Sequence, residues 1–276
     1  MIVKEKIGEG NFLDFRICDN LELMAEIPDN TIDLIYCDIL YGTGRKFKDY
    51  QDLKPIRSEI EAHYIPRIKE MHRILKDIGS IYLQMDTRIN HWMRIIMDDF
   101  FGYENMRNEI TWQYDKWSNV SKCFQRNHDV VLFYAKKKNK FNELREPIKE
   151  PRKRNLVEII DGKKVSKRVD GKVVYKEQFD RPISDVWVDI PRIPNTGKDV
   201  IGYDTQKPKA LIERIIKASS NEGDLVADFY SGSFTTAEVC KDLNRSFIGC
   251  DINPNCLEKA KERGLFSFTD EPTKAD

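Results

Sequence analysis

The stretch Thr31 to Tyr41, TIDLIYCDILY, constrains the fold of this chain more than any other. Ile32, Leu34, Ile35 and Tyr36 form a short apolar run with a β-branched bias, too short for an ordinary helix, which predicts a largely buried strand. The run ends in Asp38-Ile39-Leu40-Tyr41, followed by the Gly42-Thr43-Gly44 breaker. A carboxylate and an aromatic ring just past a buried strand lie where open α/β sheets keep their ligand crevice. Taken alone, such a stretch is more often a strand that stops at a turn Asp and a core Tyr, so its meaning depends on the rest of the chain.

The flanking sequence alternates in kind. Phe15-Arg16-Ile17-Cys18 reads as a short strand that stops at Asp19-Asn20, and Leu21 to Ile27 has helical spacing. Pro28-Asp29-Asn30 then turns the chain into the buried strand. From Ser58 to Leu75 the helical period places Ile60, Tyr64, Ile68, Met71 and Leu75 on one face, and Asp77-Ile78-Gly79 is expected to break the pattern. Ser80 to Met85 is the next predicted strand and Arg88 to Phe101 an amphipathic helix. Glu109 to Tyr114 and Asp129 to Ala135 are two further strands. Such alternation predicts an α/β fold with a mostly parallel sheet covered by helices on both faces.

A chain of 276 residues suffices for one large α/β domain with an insertion. One third of its residues are charged, no apolar run approaches the ~20 residues of a membrane span, and the N-terminus lacks a signal-peptide core, so a cytoplasmic protein is expected. The cysteines form no CxxC pair or Cys/His cluster, which suggests neither a zinc site nor a disulfide framework.

The formal charges cancel overall but not locally. Lys136 to Lys176 holds fifteen Lys or Arg against six Asp or Glu. Pro147, Pro151 and the Asp161-Gly162 and Asp170-Gly171 turns suggest an inserted hairpin module there, within a segment 136–190 that divides the domain into halves 1–135 and 191–276. A basic, turn-rich insertion is as often a plain solvated loop as a phosphate-tracking surface. On the second reading its candidate phosphate contacts are Arg152, Lys153, Arg154, Lys163, Lys164, Lys167 and Arg168. Trp112, Tyr114, Trp117 and Trp187 flank the insertion, where aromatics more often pack than stack on bases.

After the insertion, Thr205-Gln206-Lys207-Pro208 opens a helix with Leu211, Ile212, Ile215 and Ile216 inward. The run LVADFYSGSFTTAEVCKDLNRSFIGCDINP then reads as strand Leu225 to Ala227, a turn from Asp228 to Ser233, helix Thr235 to Leu243 and strand Ser246 to Cys250, with Asp251 at its end. This is a nucleotide-binding βαβ unit in outline. Gly232 allows close backbone approach, the helix start offers free amides, and Asp251 is placed to accept hydrogen bonds from ribose hydroxyls.

Asp38-Ile39-Leu40-Tyr41, Asn127-His128-Asp129-Val130-Val131-Leu132, Thr205-Gln206-Lys207-Pro208, DFYSGSFTT and FIGCDIN, in this order, resemble the amino-methylating DNA methyltransferases of bacteria and phages. With the catalytic motif first, the cofactor motif last and a basic insertion between, the order resembles the circularly permuted β group, which includes many adenine-N6 enzymes. The resemblance implies a Rossmann-like methyltransferase fold with an inserted target-recognition region, S-adenosyl-L-methionine as cofactor and double-stranded DNA as partner. A cognate restriction endonuclease and a homodimer stay open as further partners.

The resemblance also implies roles. Asp251 would hold the cofactor's ribose and Asp19 would lie near its adenine, with Thr205, Gln206, Lys207, Asp228, Tyr230, Gly232, Ser233 and Thr235 toward its amino acid end. The target base must leave the duplex to be reached, and Tyr41 would stack on it. Asp38 and the Ile39 carbonyl would accept hydrogen bonds from its exocyclic amine, so that positioning and electrostatics carry the transfer. Two departures stand out: Ile39 and Leu40 replace two prolines of the family tetrad, and Phe229 and Phe234 stand where the cofactor turn usually has Pro and Gly. Phe234 either crowds the cofactor or points into the sheet. Three readings are open: an adenine-N6 methyltransferase, which leads on the combined motifs; a DNA-binding homologue with weakened or lost catalysis, for which the two departures are the evidence; and an N4-cytosine methyltransferase, ranked lower because Asp rather than Ser opens the tetrad.

Overall fold

The computed structural model describes residues 2–7, 10–47, 51–116, 119–193 and 206–265. In chain order its first half holds β1 (Ile2–Ile7), β2 (Asn11–Ile17), α1 (Asn20–Glu26), β3 (Ile32–Asp38), α2 (Arg57–Ile74), β4 (Leu75–Met85), α3 (Asn90–Phe101), β5 (Met106–Gln113) and β6 (His128–Ala135). Seven short or exposed strands come next: β7 (Arg145–Asn155), β8 (Val157–Ile160), β9 (Lys163–Ser166), β10 (Arg168–Val169), β11 (Lys172–Val173), β12 (Tyr175–Pro182) and β13 (Val186–Trp187). The last part is α4 (Lys209–Ser219), β14 (Leu225–Asp228), α5 (Thr235–Asp242), β15 (Ser246–Asp251) and α6 (Cys256–Glu262).

Nine strands make one sheet in the order β1-β2-β15-β14-β3-β4-β6-β5-β13. The predicted strand is its centre: β3 is buried at every position but Asp38, as expected when both faces of a strand are covered. Five neighbour pairs are parallel, and the sheet is mostly parallel as expected. Two local features of the sheet were not foreseen. β1 pairs with β2 as an antiparallel ribbon at one edge, and β6 lies antiparallel between β4 and β5. Alternating hydrophobicity says that a strand is half or fully buried but carries no sign for its direction.

Asp77-Ile78-Gly79 does not separate helix from strand. The strand begins at Leu75, which pairs with Ile32, and the register then jumps so that Leu34 faces Ser80. The intervening residues form a bulge rather than a break. Lys76 at its start pairs with Asp33 at 2.7 Å.

β3 hands the chain to β4 on one side through α2, whereas β14 hands it to β15 on the other side through α5. The boundary between β14 and β3 is therefore a topological switch point, where the loops after the strands diverge and leave a crevice. Asp38 ends β3 and Asp228 ends β14, so both carboxylates arrive at that crevice. α2 covers the sheet with Ile60, Tyr64, Ile68, Met71 and Ile74, all buried with Met93, Ile96 and Met97 of α3. No helix among the described residues is long and apolar enough to cross a membrane.

Residues Glu143–Ser184 form a compact unit of their own. In it β7 pairs antiparallel with β12, and β8–β9 and β10–β11 are two small hairpins. Both hairpins turn at Asp-Gly pairs with positive φ, 50° and 74° at Asp161-Gly162 and 49° and 77° at Asp170-Gly171. That is the geometry of the two-residue turn whose twist suits a hairpin. β13, although it falls within 136–190, pairs with β5 in the large sheet. Trp112 and Trp187 on these two strands are buried, and the Trp112 indole donates to the Ile190 carbonyl at 2.8 Å. Trp117 lies outside the described residues.

Candidate active site

The crevice at the switch point is a cleft open to solvent. Its walls include Asp38 at the end of β3 with Ile39 and Tyr41 beyond it, Asp228 to Thr236 without Phe234 from the end of β14 to the start of α5, Asp251 and Ile252 at the end of β15, and Cys18 to Asn20 after β2. Of the residues singled out in the sequence, Asp19, Asp38, Ile39, Tyr41, Lys207, Asp228, Tyr230, Gly232, Ser233, Thr235 and Asp251 all line it. Gln206 is half-buried and does not, and Thr205 lies outside the described residues.

At the candidate tetrad, Asp38 lies 3.0 Å from the Tyr41 hydroxyl and accepts from the Lys207 ammonium at 2.5 Å. Burial pushes the Asp38 carboxyl above its ordinary range, and Lys207 opposes that shift. The same ammonium lies 5.0 Å from the centre of the Tyr41 ring. Lys207 is thus brought to the carboxylate and ring of the tetrad, a contact across 169 residues that spacing alone does not reveal. The Tyr41 hydroxyl also reaches Asp129 at 2.5 Å.

The turn after β14 is braced from within. The Tyr230 amide donates to one Asp228 oxygen at 3.0 Å and the Thr236 hydroxyl to the other at 2.6 Å. Burial pushes the Asp228 carboxyl up to about 7; the Thr236 and Tyr230 hydrogen bonds pull against it, and the charges of Asp38 and Asp251 add to the rise. Asp251 accepts from the Gly232 amide and the Asn253 amide, both at 2.9 Å. The turn can lie on β15 because residue 249 is glycine: a Cβ there would come within 2.5 Å of the Ser231 hydroxyl oxygen and 2.6 Å of the Asp228 carbonyl oxygen.

Phe234 points into the sheet. It is fully buried, edge-on to Phe15 with ring centres 4.2 Å apart, and takes no part in the cleft wall. Its backbone is left-handed, with φ of 61°, a conformation that glycine adopts at no steric cost. Phe234→Ala should cost about 3–5 kcal/mol of stability through removal of the ring, and Phe234→Gly about 1 kcal/mol less because the turn relaxes. Urea unfolding of the two variants measures both; an Ala variant within about 1 kcal/mol of wild type would show that the ring packing contributes little.

Opposite this turn, Asp19 caps α1 by accepting from the Leu21 amide at 2.8 Å and pairs with Arg67 of α2 at 2.7 Å. Arg67 also donates to the His63 carbonyl at 3.0 Å, one turn back, beside the interruption that Pro66 makes in the helix. His63 Nε2 lies 3.1 Å from the Tyr230 hydroxyl, and burial, then the Arg67 charge, pulls its imidazole down to about 4, so it is neutral at pH 7. Arg67, His63 and Asn20 were not singled out in the sequence. The available signal was Arg67 itself, a cation three and seven residues from Tyr64 and Ile60 on the apolar face of α2. A charge on a buried helical face calls for a partner.

The basic residues of the insertion, Arg152, Lys153, Arg154, Lys163, Lys164, Lys167 and Arg168, are all exposed within their own unit. Arg152 and Arg154 share one face of β7 and Lys153 lies on the other. Arg154 stands directly across from Lys176, a like-charge pair that weakens the ladder.

The sequence profile of the N6/N4 DNA methylase family matches residues 32–262. The type II methyltransferase M.HpaI of Haemophilus parainfluenzae is 33% identical over 249 residues, covering 90% of this chain and 73% of that protein. The DNA adenine methyltransferase YhdJ of Escherichia coli is 28% identical over 253 residues, covering 89% and 80%. Among solved structures, the cytosine-N4-specific PvuII DNA methyltransferase superposes with a TM-score of 0.64 at 16% identity, covering 97% of this chain and 92% of that one, a likeness of fold. Adenine and cytosine enzymes thus both stand among the similar proteins. Because the matched span runs from β3 past Asp251 and takes in both ends of the cleft, this chain belongs to the N6/N4 DNA methylase family of DNA methyltransferases.

Proposed function

We propose that the chain transfers a methyl group from S-adenosyl-L-methionine to the N6 amine of an adenine flipped out of duplex DNA. The observation that carries this reading is the meeting of Asp38 and Tyr41 with Asp228 and Asp251 in one cleft. The cleft also fits the cofactor chemically. Asn20 Oδ1 and Arg67 Nε are buried without a partner, one an acceptor and one a donor. A nucleoside has hydroxyl and amine donors for the first and ring-nitrogen acceptors for the second.

Asp19, Asn20 and Asp251 would hold the nucleoside end, and Asp228, Ser233 and Thr235 the amino acid end. When bound, S-adenosylmethionine supplies an electrophilic methyl group on its sulfonium. Asp38 and the Ile39 carbonyl accept hydrogen bonds from the target amine and so turn its lone pair outward. Tyr41 carries the face of the base, and the low-dielectric cleft strengthens each contact. No covalent attachment to the protein is needed.

Adenine is favoured over cytosine because Asp, rather than Ser, opens the tetrad, in line with the adenine-specific name of YhdJ. The fold-level likeness to the PvuII enzyme keeps cytosine-N4 as the second reading. Pairing with a restriction endonuclease is the biological setting suggested by the type II name of M.HpaI. Nucleoside mass spectrometry and methylation-sensitive sequencing of DNA from cells expressing the chain test all three readings. N6-methyladenine at one sequence supports the first; N4-methylcytosine replaces it with the second; absence of both marks points to a silent homologue.

The raised Asp228 carboxyl makes cofactor binding pH-dependent. An ammonium group at the amino acid end needs this carboxylate ionised. Affinity should therefore fall about tenfold per pH unit below about 7 and level off above it. Calorimetry between pH 5.5 and 8 measures this, and Asp228→Asn should flatten the curve. Stability runs the other way: with the folded value raised from 3.8 to about 7, the contribution of this group is full below about pH 4 and is lost as pH rises through 7. A flat wild-type binding curve would remove Asp228 from the cofactor.

A further inference from the structure

Three side-chain donors converge on Asp129 at the start of β6. The Tyr41 hydroxyl at 2.5 Å and the Gln84 amide at 2.8 Å reach Oδ2, and the Tyr114 hydroxyl reaches Oδ1 at 2.9 Å. Gln84 in turn accepts from the Tyr36 hydroxyl at 2.8 Å. Asp129 and Gln84 are both buried, so their polar atoms depend on these partners. The backbone ladder already joins β4 to β6 here, pairing Gln84 with Val131 and Met85 with Val130. The side-chain network therefore adds something other than strand pairing, and one of its arms is the aromatic ring of the catalytic tetrad.

A hydroxyl has one hydrogen to donate. Tyr41 has two carboxylates in reach, Asp129 at 2.5 Å and Asp38 at 3.0 Å. The shorter contact holds the proton, which leaves the facing oxygen of Asp38 able to accept from an amine. Burial and these two carboxylates hold the phenol well above its ordinary range, so it keeps that hydrogen.

The backbone of the tetrad is held from the same side. The Ile39 amide donates to the Gln84 carbonyl at 3.1 Å, a bond that proline, having no N–H, could not make. The Tyr64 hydroxyl donates to the Leu40 carbonyl at 3.2 Å. Gln84 thus fixes residue 39 through its backbone and residue 41 through Asp129.

We propose that Asp129 is the positioning residue for the base-stacking ring of Tyr41, and that with Gln84 it supplies the rigidity that two prolines give the tetrad elsewhere in the family. The proposal rests on the methyltransferase reading, although its structural half can be measured without turnover.

The test uses Asp129→Ala, which removes the acceptor altogether, Tyr41→Phe and the double variant of the full chain. Each single change should lower kcat about 10²-fold with the affinity for S-adenosylmethionine unchanged, as expected when a reacting partner is held about 1 Å out of place. If Asp129 acts through the Tyr41 hydroxyl, the double variant is no slower than the slower single one. The carbon resonance next to the Tyr41 hydroxyl, identified by its loss in Tyr41→Phe, should shift in the ligand-free Asp129→Ala protein. Tyr41→Phe removes one oxygen atom and guards against an Asp129 variant that fails to fold. Multiplying losses, a fully active Tyr41→Phe, or an unmoved resonance would each overturn the proposal. A protein that transfers no methyl group to any base yet shows the shifted resonance would instead overturn the methyltransferase reading and keep the tether.

Discussion

Asp38→Ala is expected to lower methyl transfer by about 10³-fold or more while S-adenosylmethionine and duplex binding persist. On the proposed reading Asp38 is the side-chain acceptor for the target amine, and general-base and electrostatic contacts of this kind are worth on the order of 10²–10⁴ in rate. Neither of its partners can take over. The Lys207 ammonium at 2.5 Å would present hydrogens, not lone pairs, to an incoming amine, and the Tyr41 hydroxyl at 3.0 Å, with its one hydrogen on Asp129, is a neutral acceptor without the charge of the carboxylate. Asp38→Asn keeps one acceptor oxygen in place and should lie between wild type and the Ala variant. Labelled-methyl incorporation, calorimetry and gel shift measure the three properties separately. Thermal unfolding belongs beside them, since the Ala variant leaves Lys207 without that carboxylate. An Ala variant that methylates at the wild-type rate would show that the amine is not activated here.

The second large effect is expected in the basic unit. Reversing Arg152, Lys153 and Arg154 to Glu should weaken duplex binding on the order of 10²-fold at low salt. It should also flatten the dependence of log affinity on log salt by about 0.9 for each phosphate that the unit no longer neutralises. The structure sharpens this expectation. Arg152 and Arg154 share a face of β7, so the pair should account for most of the weakening and Lys153 alone for little. Arg154 facing Lys176 does nothing for the ladder, a repulsion that an anion lying along that face would relieve. A salt dependence unchanged in the triple variant would place the DNA path on other residues.

Much of the frame was legible from residue order. The run Ile32 to Tyr36 is too apolar to be anything but interior, and it is the central strand of the sheet. The βαβ unit from Leu225 to Asp251 carries its own punctuation, and strand, helix and strand fall where the spacing places them. The Asp-Gly turns of the insertion determine hairpins because Asp and Gly tolerate positive φ, and both hairpins form there. Each of these features depends on neighbours within a few residues, where periodicity and turn chemistry act.

Tertiary structure decided the rest. Only the packed sheet shows that β6 runs antiparallel between β4 and β5, and that Asp77-Ile78-Gly79 is absorbed as a bulge. Only the fold turns Phe234 onto Phe15 instead of into the cleft, keeps Gln206 out of the cleft wall, and brings Lys207 to Asp38. The physical reason is separation along the chain. Hydrophobic pattern reports how much water a residue avoids, a local property, whereas a carboxylate's partner is set by which strands lie side by side. Tyr41 meets Asp129 across 88 residues and Asp38 meets Lys207 across 169, so sequence determined the groups and the sheet order determined their pairing.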